Sequence, residues 1–219
     1  MNAGELIDIV RREIGDREQP YFNTDDDLIE FADDAQNEAC RRASLLVDSN
    51  SDFCRIDVEE GEAEYEIDSR IIRIRRARLV GVVRPMSLMP TAHLDSQCLG
   101  WEDMAGEPSI IVTDWKTGAI RLAPTPDAAA TLLLRVVRLP LHPIKSLDST
   151  FEVNPRFIRD LRHWIIKRAY DKKDADAEDV ALAVRAEGRF IAAFGEALPA
   201  RTEEWNARNL PFDNLDASE

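Results

Sequence analysis

The stretch TDWKTGAIRLAPTPDAAATLLLRVVRLPL, residues 113–141, decides the fold. Apolar and polar residues alternate on both sides of Lys116-Thr117-Gly118, and alternation interrupted by a Gly-containing break reads as a β-hairpin. Gly118 permits the tight turn because it carries no Cβ. Ile120 and Leu122 share one face of the second strand; Leu132, Leu134 and Val136 share one face of a third. Pro124 and Pro126 cannot extend a central ladder, so they fix where the second strand stops. None of these residues is a nucleophile, acid or base; they specify a β block.

Working outward, Pro140 and Pro143 close the β region. Upstream, RIIRIRRARLVGVVRP, residues 70–85, reads as an arginine-rich strand whose parity slips near Arg75-Arg76: Ile72 and Ile74 share one face, Ala77 and Leu79 the other. A bulge there restores the inward face. Residues 53–68, FCRIDVEEGEAEYEID, read as a hairpin that turns at Glu60-Gly61 and returns through Ala63, Tyr65 and Ile67. Residues 86–109 predict one short strand and a loop.

Helical periodicity brackets this block. Leu6, Ile9, Val10 and Ile14 lie at helical spacing before Gly15. Thr24 caps a helix of about six turns carrying Leu28, Phe31, Ala35, Ala39 and Leu46. Ala32, Ala35, Ala39 and Ala43 would let another helix approach closely. Asn154-Pro155 is an N-cap with proline at the first helical position, and Phe157, Ile158, Leu161, Trp164, Ile165 and Ala169 form the apolar face that follows. After a charged turn at residues 171–179, a last helix carries Val180, Val184, Ile191, Phe194 and Leu198 and ends at Pro199. The acidic, aperiodic remainder reads as an arm with apolar anchors at Trp205, Leu210 and Phe212. The expected architecture is α+β. A helical bundle (residues 1–50 and 151–198) bears an inserted antiparallel β-sandwich or barrel-like domain (51–150), and 199–219 form an extended arm.

Of 219 residues, 44% are hydrophobic and 32% charged, and the formal net charge is −14. That balance argues against a protein that grips nucleic acid from outside, which needs a basic surface. It suits a wall along which DNA slides without sticking. Cys40, Cys54 and Cys98 have no CxxC spacing and read as buried or idle thiols. The opening residues MNAGELIDIVRREIG lack the apolar core of a signal peptide, and no apolar run approaches the ~20 residues of a membrane span. The sequence therefore reads as a chain made and used in the cytoplasm.

No constellation calls for catalysis, a cofactor or a metal. Asp25-Asp26-Asp27 answer the positive end of a helix dipole, and Asp33-Asp34 are expected to face solvent. Residues 171–179 lack the glycine and terminal glutamate of an EF-hand. His93, His142 and His163 have no metal-ligand spacing, and His163 reads as a helix-surface residue. There is no phosphate loop and no GxSxG elbow. Two basic sets stand out: Arg70, Arg73, Arg75, Arg76, Arg78 and Arg84, and Arg156, Arg159, Arg162, Lys167, Arg168, Lys172 and Lys173. The first contacts nucleic acid, meets acidic surface on another copy, or protects an exposed strand edge by charge. The net charge favours the last two. The second set is ordinary amphipathicity or complements the Asp-rich helix of a neighbour.

WKTGAIRLAPTPD followed by LLLRVVRLP resembles tailed-phage head-to-tail adaptor (connector) proteins: an aromatic before a Gly turn, a strand ending in Pro-x-Pro, then a strand ending in Arg-x-Pro. VEEGEAEYEID resembles the family's hairpin, with Asp68 where a proline is expected. FEVNPRFIRDLRHWIIKRAYDKKDAD resembles its C-terminal helix pair and LIEFADDAQNEACRR its N-terminal helix. The order of these motifs, over about residues 5 to 195, carries the likeness; the arm lies outside it. The resemblance implies a non-enzymatic virion protein of the neck. It forms a ring that docks on the portal protein, extends the channel for viral DNA without sequence-specific binding, and offers tail or nozzle proteins a docking surface. Such rings hold about twelve copies joined by heterologous contacts. The expected subunit or portal interface is Arg73, Arg75, Arg76, Arg78, Arg156, Arg159, Trp205, Leu210 and Phe212. Another virion component of tail or head completion is the alternative, and a hydrolase a more distant one.

Overall fold

The computed structural model describes residues 1–172 and 179–203. In chain order the elements are α1 (Ala3–Ile14), α2 (Asp25–Ala43), β1 (Val47–Asp48), β2 (Arg55–Val58), β3 (Glu64–Glu66), β4 (Ile71–Leu79) and β5 (Ser87–Met89). Then come α3 (Thr91–Gln97), β6 (Ala105–Gly106), β7 (Ile110–Lys116), β8 (Ala119–Ala123), β9 (Thr125–Pro126), β10 (Ala130–Arg138), α4 (Pro155–Tyr170) and α5 (Val180–Phe194). The protein is α+β. One compact unit is built from Met1–Leu46 and Leu139–Ala197, and a second holds Val47–Arg138.

In the helical unit, local chemistry sets the helix ends. Asn2 and Glu5 form a capping box on α1, and Gly15 closes it in the left-handed conformation. Thr24 and Asp27 form a second box on α2. Asn154 caps α4 ahead of Pro155. Ala32, Ala35 and Ala39 of α2 are fully buried in one core with Ile158, Leu161 and Ile165 of α4 and Phe190 of α5. α2 is shorter than its periodicity predicts: Ser44 takes a left-handed conformation and ends the helix before Leu46. The face of α5 also differs. Ala183, Ala186, Phe190 and Phe194 are buried, whereas Val180 and Val184 are exposed. A face that buries alanines between phenylalanines does not stand out by hydrophobicity alone.

In the β unit, β10 is the central strand of an antiparallel sheet, with β4 on one side and β2 and β1 on the other. The second sheet has the order β3-β8-β7-β5, with β5 parallel to β7. The inward residues Val58, Ile74, Ala77, Leu79, Leu132, Leu134 and Val136 of the first sheet share a core with Ile111, Ile120 and Leu122 of the second. Both sheets are open and do not close into a barrel. The bulge is where the parity slip put it: Arg135 pairs with Arg76 and Val136 with Ile74, so Arg75 is the extra residue.

The segment 53–68 is not a hairpin. β2 pairs with β10 and β3 with β8, so the chain crosses from one sheet to the other between them. Gly61, at φ +81°, makes that corner, and its N–H donates to the Pro126 carbonyl. The Tyr65 hydroxyl accepts from the Glu59 N–H and donates to the Glu62 carbonyl. A corner between packed sheets keeps the same alternation as a hairpin, because both strands still face one core. Residues 86–109 hold the expected short strand, but also the helix α3.

Candidate interaction surfaces

Among the described residues no group of three or more His, Cys, Asp or Glu side chains is placed to hold a metal. Among the described residues no helix is long and apolar enough to cross a membrane. Burial and the nearby Asp48 carboxylate push the Cys54 thiol up to about 11, which makes it a poor nucleophile. A cleft of about 290 Å³ in the β unit is lined by residues that include Asp68, Ile72, Arg73, Lys116 and Gly118. Its Asp68 carboxylate is held by the Arg70 side chain and N–H, which lower it to about 2. A carboxylate so held is a weak base.

The predicted arginines of β4 separate into two kinds. Arg70 is engaged by Asp68. Arg75, Arg76 and Arg78 are exposed and Arg73 half-buried, and none of these four forms an ion pair among the described residues. Their register brings in two arginines that sequence reading passed over. On the outer face of the sheet, Leu133 of β10 stands between Arg55 of β2 and Arg78 of β4. One row along, Arg135 stands directly opposite Arg76, and beyond it Val137 faces Arg73. Arg55 and Arg135 are exposed. Their polar parity is visible in the sequence; that β2, β10 and β4 are neighbours is not.

Most of the basic set on α4 is satisfied inside its own chain. Arg162 pairs with Glu13 at 3.0 Å, Arg168 with Asp34 at 2.7 Å and Lys172 with Asp27 at 2.9 Å. The Asp-rich helix that these cations complement is α2 of the same molecule. Asp33 and Asp34 therefore do not simply face solvent: Asp34 pairs with Arg168, and Asp33 accepts the Ile144 N–H at 2.7 Å. His163 is buried rather than on the surface, and burial first, then Arg162 and Arg189, push its pKa down. Arg156 and Arg159 are exposed, with Arg156 over the Phe157 ring. Trp205, Leu210, Phe212 and residues 173–178 of the charged turn lie outside the described residues.

The aromatic ahead of the Gly118 turn has a structural role. Trp115 donates to Glu64 at 2.8 Å and stacks under the Arg121 guanidinium, which also lies over Trp101. The two rings meet edge to face at 5.9 Å.

A family model described as SU10 adaptor protein matches residues 1–211. No curated protein matches the chain.

Proposed function

Since the chain belongs to the SU10 adaptor protein family, a family of tailed-phage head-to-tail adaptors, we propose that it is a structural component of the virion neck. In this reading it forms a homo-oligomeric ring of about twelve copies. The ring docks on the portal protein, continues the channel through which viral DNA passes, and presents a surface to tail or nozzle proteins. The observation that carries the reading is the match itself, which spans both the helical and the β unit. The surface chemistry supports it. Carboxylates dominate overall, which lets DNA move past without the counterion release that makes basic proteins hold it. Arg73, Arg75, Arg76 and Arg78 on the sheet, and Arg156 and Arg159 at the start of α4, are proposed as subunit or portal contacts. Trp205, Leu210 and Phe212 are proposed as anchors of an arm that grips the portal or a neighbouring copy. The reading assigns no catalytic step and no cofactor.

The test is electron cryo-microscopy of the purified protein mixed with its cognate portal ring. A coaxial ring seated on the portal is expected. Folded protein that leaves the portal bare would overturn the reading.

A further inference from the structure

We propose that the outer arginine face of the β10 sheet is the seat for the glutamate-rich β2–β3 corner of a second copy of this chain, joining copies head to tail. The face holds Arg55, Arg73, Arg76, Arg78 and Arg135, contributed by three adjacent strands. Arg76 and Arg135 are directly opposite one another. Cross-strand partners stand about 5 Å apart at Cβ, and like charges there destabilise a sheet. No carboxylate of the described chain pairs with any of the five. Half-buried Leu133 sits between Arg55 and Arg78, so the surface is an apolar centre with a guanidinium rim. Guanidinium forks bind carboxylates in a bidentate manner.

The chain itself carries the matching ligand. Glu59, Glu60, Glu62, Glu64 and Glu66 are all exposed around the corner. Glu64 is engaged by Trp115 and Arg121, whereas the Glu59, Glu60 and Glu66 carboxylates have no partner among the described residues. The corner cannot fold back onto the face: it leaves through β2 toward the second sheet, pinned by Gly61 and Tyr65. Donor and acceptor are therefore different patches of one unit, which is the requirement for a heterologous contact that propagates into a ring. A nucleic acid is the less suitable occupant. Asp57 lies on the same face opposite Thr131, one row from Arg55, and the corner follows directly, so carboxylates border the arginines where a phosphate backbone would run.

The inference rests on the ring reading and adds which surfaces meet. It is tested by sedimentation of the full chain at low and high ionic strength. The protein is expected to self-associate at low salt and to dissociate at ~1 M salt, where screening reaches within about 3 Å. R76E/R78E and E59K/E60K should each weaken association on the order of 100-fold, while circular dichroism stays unchanged. Mixing the two variants should restore assembly in alternating copies, because a wild-type corner meets a wild-type face at one seam and a reversed corner meets a reversed face at the next. A chain carrying all four changes should assemble again. If a reversal proves to disturb folding, R76Q/R78Q and E59Q/E60Q supply the milder weakening. Association indifferent to these changes, or a mixture that does not pair, overturns the proposal. So does loss of duplex-DNA retention in R76E/R78E with association intact. A wild-type chain that is monomeric at low salt overturns it too, without touching the portal experiment.

Discussion

At Asp48 the N–H groups of Asn50 and Ser51, the Ser51 hydroxyl and the Arg138 guanidinium converge on one carboxylate. Burial alone would raise its pKa, but these partners outweigh it and hold it well below the usual carboxylate range. A depressed folded value means that the contribution is complete above the unfolded value, about 3.9, and is lost as pH falls below it. Asp48→Asn removes the charge to which the Arg138 guanidinium, only 12% exposed, donates at 2.6 Å, and weakens the turn bonds that converge on it. The expected cost is about 3 kcal/mol at pH 7, with a smaller gap from wild type at pH 3, both read by urea denaturation. His163 depends on protons in the same direction, in a higher pH range, because burial disfavours its protonated form. Its folded pKa lies below the ordinary value near 6.5, so the unfolded chain takes up the proton first and stability falls as pH drops through that value. His163→Gln should flatten the stability profile between about pH 7 and pH 5. Residue-scale chemistry of this kind was half legible. Residues 47–52, VDSNSD, read from the sequence only as a polar break; the partner Arg138 of Asp48 is ninety residues away. His163 reads as a surface residue from its local sequence, but Glu13 of α1 and Arg189 of α5 both act on it, so it lies where other helices pack on α4.

Helix starts fixed by a cap at Thr24 and Asn154 were legible; the ends of α2 and α5 and the sheet membership of β2 and β3 were not. The caps at Asn2, Thr24 and Asn154 satisfy helix N–H groups within three residues. Gly118 turns the β7–β8 hairpin at φ +76°, where an added Cβ meets nothing within 4 Å. Gly118→Ala should therefore cost only the left-handed backbone, about 1 kcal/mol, measured as a fall in the unfolding midpoint. The β2–β3 corner escaped because sheet membership is a long-range property: alternation gives the face of a strand, never its neighbour. The bulge at Arg75 was legible since it must reconcile two apolar parities within one strand. The alanine stripe of α2 was legible as a close approach, and it yields a sharper test. Ala35 is fully buried, so Ala35→Leu inserts volume that neither α2 nor α4 has room for. A loss of about 1–3 kcal/mol is expected, whereas Ala→Leu raises no objection on helix propensity alone.

For the whole molecule, the legible part of the candidate surface was its charge and the illegible part its assembly. A run of arginines in β4 was evident, but the face exists only because β10 brings Arg135 beside Arg76 and carries Arg55 on its other flank. Conversely, Arg168 and Lys172 looked available and are consumed by α2. The two units also keep separate cores, one around Phe190 and the α2 alanines, the other between the two sheets. That separation predicts separable unfolding. Phe190 is fully buried, its ring lies 4.9 Å from that of Trp164 and 4.7 Å from that of Phe194, and Arg42 caps the Trp164 and Phe190 rings. Phe190→Ala removes an aromatic from the centre of the helical unit and should cost about 3–5 kcal/mol there. With fluorinated tryptophan, the Trp164 resonance should shift at a lower denaturant concentration than in wild type. The Trp101 and Trp115 resonances report the β unit and should keep their wild-type midpoint. A common shift of all three would mean that the helical and β cores unfold as one cooperative unit.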